Sequence, residues 1–477
     1  MAREGMVKSG SMRKTWFLAI LCFTTTAFAQ SPQPVKGPDE RYKVDILVVV
    51  AHPDDEGAAT PYLARAIYDL HKSVGVVFGT RGGSGGNDYR REHGPAMADV
   101  REIEARQACA RLGIDKVWFL GGKDTASQNV LNSLANWGHG QSLEELVRIV
   151  RLTRPEVVLT WLPGIFIGEN HGDHQAAGVL ATEAFDSAAD PTSFPAQLAG
   201  ASKRLEPYLE NLTPWQPRKI YYFSDANDQK QFAGHGFAYS VREVSPSQKK
   251  PYWLLAMRSA QSHLTQFPDD INRWSSLNDD EIQKAMSDPS KLWWSEPETL
   301  IFGKSLVKGD LAGDVFEGID PKVSMNSKTE CAARHSEVHE PPPQASVIFG
   351  GIWGFYNDFR EKHCVQIPVA KTPEIGIKAG SNLTIPLRVV HEHGKSLALK
   401  VEVAVPEGWK ILQGAGTFAL PEENRTDLLV EVATPDLKKD ELAKLGAQEI
   451  VVRASAGGKA AGEISLRVQL LSGGLPQ

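Results

Sequence analysis

Over its first half this chain alternates between two hydrophobic periods. Val44-Asp45-Ile46-Leu47-Val48-Val49-Val50 is a short apolar run of the kind carried by a parallel strand buried on both faces. Ala58 to Lys72 then follows helical spacing, with Leu63, Ile67 and Leu70 on one face. Further strands are expected at Val74–Phe78, Lys116–Leu120, Val157–Trp161 and Lys219–Phe223. Helices are expected at Val100–Leu112, stopped by Gly113, and at Leu143–Arg151, Gln175–Ala184 and Tyr252–Phe267. Residues 186 to 217 are interrupted by five prolines and predict an irregular excursion. Strand and helix in alternation predict an α/β domain, with a mostly parallel sheet and helices on both faces.

From about residue 268 the pattern weakens, although Trp274, Trp293 and Trp294 still predict packed structure. Pro341-Pro342-Pro343 marks a stiff junction. Beyond residue 372 the period becomes two. Ile464, Leu466, Val468 and Leu470 alternate with polar residues, after similar runs at Leu383–Val390, Leu397–Val405 and Glu449–Arg453. This predicts a C-terminal antiparallel β-sandwich. The resulting division is a signal peptide at 1–29, a Rossmann-like α/β domain at 40–270, an extension and linker at 271–371, and the sandwich at 372–477.

The N-terminal division rests on composition. Lys8, Arg13 and Lys14 precede an apolar core from Trp16 to Phe23, and Ala27-Phe28-Ala29 is a small-x-small cleavage pattern. The apolar run is shorter than a membrane-spanning helix needs. The expectation is an exported protein, periplasmic or extracellular, with no stable membrane span after cleavage. Cys331 and Cys364 are then placed to pair in an oxidising compartment, and Cys109 reads as a buried apolar residue. A formal net charge of -6 argues against nucleic acid as a partner.

The chemistry concentrates where two strands end. His52-Pro53-Asp54-Asp55-Glu56 follows the first apolar run, and His171-Gly172-Asp173-His174 comes after Val157–Trp161. Ligands in open parallel sheets bind beyond the carboxyl ends of the strands, where Arg81 and Asp124 also fall. A hydrolytic zinc site has three protein ligands and one position for water. His52, Asp55 and His174 can supply the three, and Asp54 stands beside them as a general base. His171 is expected to stabilise an oxyanion, oriented by Asp173. Two imidazoles and a carboxylate suit Zn2+ but also another divalent metal such as Fe2+. Each element has a plainer reading. Asp54 or Asp55 can cap the following helix, and Glu56 reads as a first-turn acid or a partner of the ligands.

Gly82-Gly83-Ser84-Gly85-Gly86 has the spacing of a nucleophile elbow, but polar Asn87-Asp88 follows where an apolar helix should begin. The loop also lacks both nucleotide-binding patterns and reads as a substrate-covering loop that carries Arg81. His93, His139 and His263 read as surface or structural histidines, and the amphipathic pattern before His263 leaves a place near the pocket open for it.

The Ala51-to-Glu56 run and His171-Gly172-Asp173-His174 resemble the PIG-L, or LmbE-like, family of zinc-dependent de-N-acetylases. The resemblance spans roughly residues 44 to 265. It includes Arg101-Glu102, Phe119-Leu120-Gly121-Gly122 with Asp124, and the Met257-to-Ala260 segment leading to His263. It implies His52, Asp55 and His174 as metal ligands, Asp54 as the base, and His171 with Asp173 behind it at the tetrahedral intermediate. Arg101 and Asp124 are similar to positions that contact the sugar. The implied activity is removal of an N-acetyl group from an amino sugar or glycoconjugate. Two other readings stay open: a hydrolase of non-sugar linear amides, and a non-catalytic exported glycan-binding protein.

Overall fold

A computed structural model describes residues 37–472, apart from 88, 90, 167–170, 199–211, 227, 321–344, 369–371, 392–396 and 423–424. The expected signal peptide and Cys331 lie outside the described residues. The first five strands are β1 (Ile46–Val50), β2 (Val74–Thr80), β3 (Lys116–Gly122), β4 (Val157–Trp161) and β5 (Lys219–Phe223). They pair in parallel in the order β3-β2-β1-β4-β5. Every residue of β1, β2, β4 and β5 is buried, which is why these runs read as unbroken apolar stretches. The strand order reverses direction between β1 and β4, and this gap is where a crevice opens.

The helices fall into two packing sets. On one side, α1 (Thr60–Tyr68) and α2 (Pro95–Arg111) pack on a third helix, as α3 (Val130–Asn136) and α4 (His139–Thr153) do on the other. That second set meets α5 (Gly172–Ser187), which lies across β4 and β1. The first set meets α6 (Tyr252–Ala260). Right-handed crossovers running in opposite directions from β1 place the two sets on opposite faces. Helix α6 ends at Ala260, not at Phe267 as its period predicts. The reason is tertiary: His263 is drawn out of the helical path to pair with Glu56.

The sheet continues past the boundary expected at 270. After β6 (Gly236–Tyr239), the short helices α7 (Pro268–Ser275) and α8 (Asp279–Ala285) lead to β7 (Glu298–Ser305). β7 inserts between β5 and β6, antiparallel to both. The segment assigned to an extension therefore supplies a strand of the central sheet. That segment also provides β8 (Ala345–Phe349) and α9 (Gly351–His363).

The remaining strands are β9 (Glu374–Lys378), β10 (Asn382–His391), β11 (Leu397–Ala404), β12 (Lys410–Gln413), β13 (Gly416–Leu420), β14 (Arg425–Ala433), β15 (Gln448–Ala456) and β16 (Lys459–Leu471). Among the described residues they form two sheets with β8, ordered β12-β14-β10-β8 and β13-β11-β15-β16-β9. The pairing is antiparallel except for β16 with β9, which run parallel, a departure from the all-antiparallel expectation. The two sheets meet where β8 lies against β16. Among the described residues no helix is long and apolar enough to cross a membrane. Cys109 is free and buried, and Cys364 is disulfide-bonded.

Helix α5 approaches the end of β4 so closely that only glycine fits at 178. A Cβ there would fall on the Trp161 carbonyl oxygen and against the Pro163 ring. Gly178→Ala should therefore displace α5 and destabilise the protein by about 1–3 kcal/mol. A lower melting temperature in calorimetry is the expected result.

Candidate metal centre

β1 delivers its chain directly into the site. After Val50 and Ala51 come His52 and Pro53, and then Asp54 adopts a left-handed backbone with φ 109°. A non-glycine residue in that region is strained and persists only where its surroundings hold it. Three contacts hold Asp54. Its amide donates to Glu56 Oε2 at 3.0 Å, Arg101 Nη2 donates to its Oδ1 at 3.0 Å, and the same guanidinium grips the Pro53 carbonyl. Arg101 also donates to the Gly82 carbonyl at 3.2 Å, so it ties the loop after β1 to the loop after β2. Burial raises the Asp54 carboxyl above its ordinary range, against the opposing pull of Arg101.

Asp55 is fixed by one of its two oxygens. Oδ2 accepts from the Ala51 amide at 3.0 Å, the His52 amide at 2.8 Å and the Trp161 indole N–H at 2.9 Å. Oδ1 is left facing His174 Nε2 at 3.4 Å. His52 Nδ1 stands 3.6 Å from the same carboxylate. Metal–ligand bonds of about 2.0–2.2 Å at tetrahedral angles separate donor atoms by about 3.3 Å, close to these spacings. His52, Asp55 and His174 thus form a group that can hold a divalent cation. A second grouping, His52 with His171 and Asp173, shares His52 with the first.

The charge states follow from the packing. Burial opposes a proton on His52, but Asp55 and Asp173 outweigh it and push the imidazole up to about 10. Burial likewise disfavours the Asp55 carboxylate, yet His174 and His52 hold it well below the usual range. A cation bound among these groups would replace those protons as the counter-charge. His171 differs: burial, then the neighbouring His52 and His174, push it down to about 3, so its ring is neutral. Its Nδ1 accepts the Asp173 amide at 3.2 Å as the cap of α5, which leaves the proton on Nε2 as a donor.

The Asp173 side chain does not orient His171, as the sequence suggested. Its Oδ2 bonds to His52 Nε2 at 3.2 Å and accepts the Thr125 amide at 2.7 Å. The cap geometry explains this, because the first turn of α5 uses the Asp173 backbone for His171 and turns its carboxylate toward β1. A carboxylate behind a ligating histidine fixes the ring and raises its basicity.

The residues expected to bind substrate sit elsewhere. Arg101 is buried behind Asp54. Arg81 is engaged by Asp99 at 2.5 Å and Glu102 at 2.7 Å on α2. Asp124 accepts the Ser84 amide at 2.6 Å and, with Arg81, lines a shallow depression by the glycine loop. The cavity at the cation group is a different space of about 530 Å³, whose walls include Asp54, Asp55, His174, His263, Trp293 and Glu298.

Several contributors escaped the sequence reading. Trp161 both bonds to Asp55 and stacks on His174, with ring centroids 4.2 Å apart. As the last residue of β4 it was findable by the same strand-end rule that singled out His52. Glu56, expected as a first-turn acid or a partner, bonds to His263 Nε2 at 2.6 Å. Glu298 had no signal, because its strand is interrupted by buried polar residues.

Comparison with known proteins gives four likenesses. Residues 47–185 match the family model described as PIG-L: GlcNAc-PI de-N-acetylase. The chain is 33% identical over 188 residues to 1D-myo-inositol 2-acetamido-2-deoxy-alpha-D-glucopyranoside deacetylase 1 of Frankia alni, covering 36% of this chain and 59% of that protein. It is 33% identical over 232 residues to the corresponding deacetylase 2 of Frankia casuarinae, covering 44% of this chain and 70% of that protein. The solved structure of N,N'-diacetylchitobiose deacetylase from Pyrococcus horikoshii aligns at 19% identity and a TM-score of 0.36, over 54% of this chain and 84% of that one. That last likeness is too low to transfer an activity.

Two measurements probe this centre. Trp161→Phe keeps the ring against His174 but removes one of three donors to Asp55, and should weaken divalent metal affinity about 10–100-fold in a chelator competition. Glu298 gives a pH signature. Burial pushes its carboxyl from 4.5 up to about 8, so its stabilisation is complete below pH 4.5 and is lost as the pH rises through 8. Melting temperatures of Glu298→Gln should fall less than those of the parent across that window.

Proposed function

This chain belongs to the PIG-L family, and from that premise we propose that it is a metal-dependent hydrolase that removes the acetyl group from an N-acetylated amino sugar. The observation that carries the reading is the convergence of His52, Asp55 and His174 on one point, beside a cavity that Asp54, Asp55 and His174 line. Zn2+ is the cation the donor set suits first, through two imidazole nitrogens and one carboxylate oxygen. Bound there, it would supply Lewis acidity to an attacking water and to the amide carbonyl.

The remaining work falls to side chains. Asp54, raised by burial and held by Arg101, accepts the proton of the attacking water. It then returns that proton to the nitrogen as the carbon–nitrogen bond breaks, giving acetate and a free amine. His171 stays neutral and donates from Nε2 to the oxyanion of the tetrahedral intermediate. Asp173 holds His52. The Glu56–His263 pair supports the strained Asp54 amide from beneath.

Two further parts of the reading concern the rest of the chain. We take the two C-terminal sheets as a β-sandwich appended to the hydrolase. We also take the protein as exported, on the charged, apolar and small-residue pattern ending at Ala29.

Asp54→Asn tests the base, because asparagine tolerates the left-handed backbone at that position. It should keep its metal, measured by elemental analysis, and lose acetate release by about 10²–10⁴-fold. His174→Ala should lose the metal itself. Near-parental turnover by the Asp54 variant would remove Asp54 from the mechanism.

A further inference from the structure

The loop between β3 and α3, residues 123–129, reaches the cation group twice from outside its cavity. The Thr125 amide donates to Asp173 Oδ2, the oxygen that also meets His52 Nε2. The Ser127 carbonyl accepts the Gly172 amide at 2.8 Å, between His171 and Asp173. This second contact has no slack. A Cβ on Gly172 would stand 2.7 Å from the Ser127 carbonyl oxygen and 3.1 Å from the Asn129 carbonyl carbon, so the first turn of α5 rests on loop backbone. A shift of the loop therefore passes directly to Asp173 and to the cap at His171.

The two ends of the loop are fixed from nearby. Asn136 Nδ2 donates to Thr125 Oγ1 at 3.0 Å, and Asn129 Oδ1 accepts the Leu131 amide at 3.0 Å. Its middle is held from the C-terminal sheets. Gln128 Nε2 donates to the Gly376 carbonyl at 3.0 Å, and Gln128 Oε1 accepts the Gly376 amide at 3.0 Å. Gly376 is the central residue of β9, the last strand of its sheet. An edge strand leaves the N–H and C=O of alternate residues without a strand partner. A side-chain amide offers the same donor and acceptor as the peptide that would continue the sheet. Gln128 thus meets the free edge of β9 as a residue of a neighbouring strand would, and the reciprocal bonds fix its rotation as well as its position. Gly376 lies outside residues 47–185, so the tie joins the matched region to chain beyond it. The body of α5 is held separately: Tyr356 of α9 donates to Gln175, and Lys304 of β7 to Asp186. Gln128 acts on the loop and the first turn.

We propose that Gln128 is a positioning residue, through which the edge of the C-terminal sheet keeps Asp173 on His52 and His171 at the oxyanion. The expected effect on turnover rests on the deacetylase reading above, whereas the effect on metal binding does not. A carboxylate behind a ligating histidine sustains metal affinity, so loosening Asp173 weakens the cation's hold. The C-terminal sheets are then a working part of the centre rather than a detachable appendage.

The test uses the full-length protein. Gln128→Ala removes both bonds to Gly376. Gln128→Met keeps the side-chain length without donor or acceptor, and serves if the alanine variant does not fold. Val430→Ala is the control: it opens a cavity under β14, which does not pair with β9. Zn2+ affinity is read by chelator competition, and kcat and KM by acetate release from N-acetylglucosamine at saturating Zn2+. The Gln128 variants should bind Zn2+ about tenfold more weakly and lose kcat about tenfold, with KM within about twofold of the parent because the cavity wall is intact. Val430→Ala should lower the melting temperature and leave Zn2+ affinity and kcat at parental values. Parental Zn2+ affinity or parental kcat in the Gln128 variants would overturn the proposal. Equal losses in Val430→Ala would overturn it too, since general stability would then account for them. If the parent protein releases no acetate, the deacetylase reading fails by itself, and the Zn2+ comparison alone decides the role of Gln128.

Discussion

Asp55 commits one carboxylate oxygen, Oδ2, to three donors, and the geometry of the centre follows from that commitment. Two of the donors are backbone amides of Ala51 and His52, at the end of β1. The third is the Trp161 indole, at the end of β4. One buried anion therefore ties together the two strands that flank the reversal of strand order. A charge-assisted bond in a site shielded from water is stronger than a neutral one, and leaving such an anion unmet would be costly. With Oδ2 spoken for, Oδ1 has a single orientation, toward His174.

The rest of the site is arranged around that anchor in two layers of paired acids and bases. Close to the cation group, Asp173 fixes His52, and Trp161 stacks against His174. Beneath it, Arg101 and the Glu56–His263 pair hold Asp54 in a backbone conformation it would not otherwise keep. The strain at Asp54 and its raised carboxyl share a cause: the loop is buried, so every polar group in it needs a partner. Arg101, expected at the sugar, also bonds within the protein. At this position the guanidinium faces the base and the loop carbonyls through Nη1 and Nη2.

The segment beyond residue 268 changes what the fold can do without changing its chemistry. β7 extends the central sheet, and the residues before it form the far wall of the cavity. Lys304 near the end of β7 is buried against Asp186 of α5 at 2.5 Å and also donates to the His363 carbonyl of α9 at 2.7 Å. These contacts join the helix that presents His171 and His174 to the part of the chain leading to the C-terminal sheets. The wall and the metal ligands are therefore members of one packed body, and their relative positions are set by core contacts.

The strands β1, β2, β4 and β5 were legible because burial on both faces demands an apolar side chain at every position, and a one-dimensional pattern records that demand. The fold class, the carboxyl-end placement of His52 and His174, and the nature of the donor set followed from the same pattern. β7 was not legible, since Glu298 and Lys304 interrupt it, and each is buried only because a distant environment permits it: an uncharged carboxyl in one case, Asp186 in the other. The early end of α6, the turn of Asp173 toward His52 rather than His171, and the arrival of Trp161 at Asp55 share that origin. Local spacing specifies which groups stand near a strand end. Which of two imidazoles a carboxylate meets depends on angles between strand and helix, and those are fixed only when the core packs.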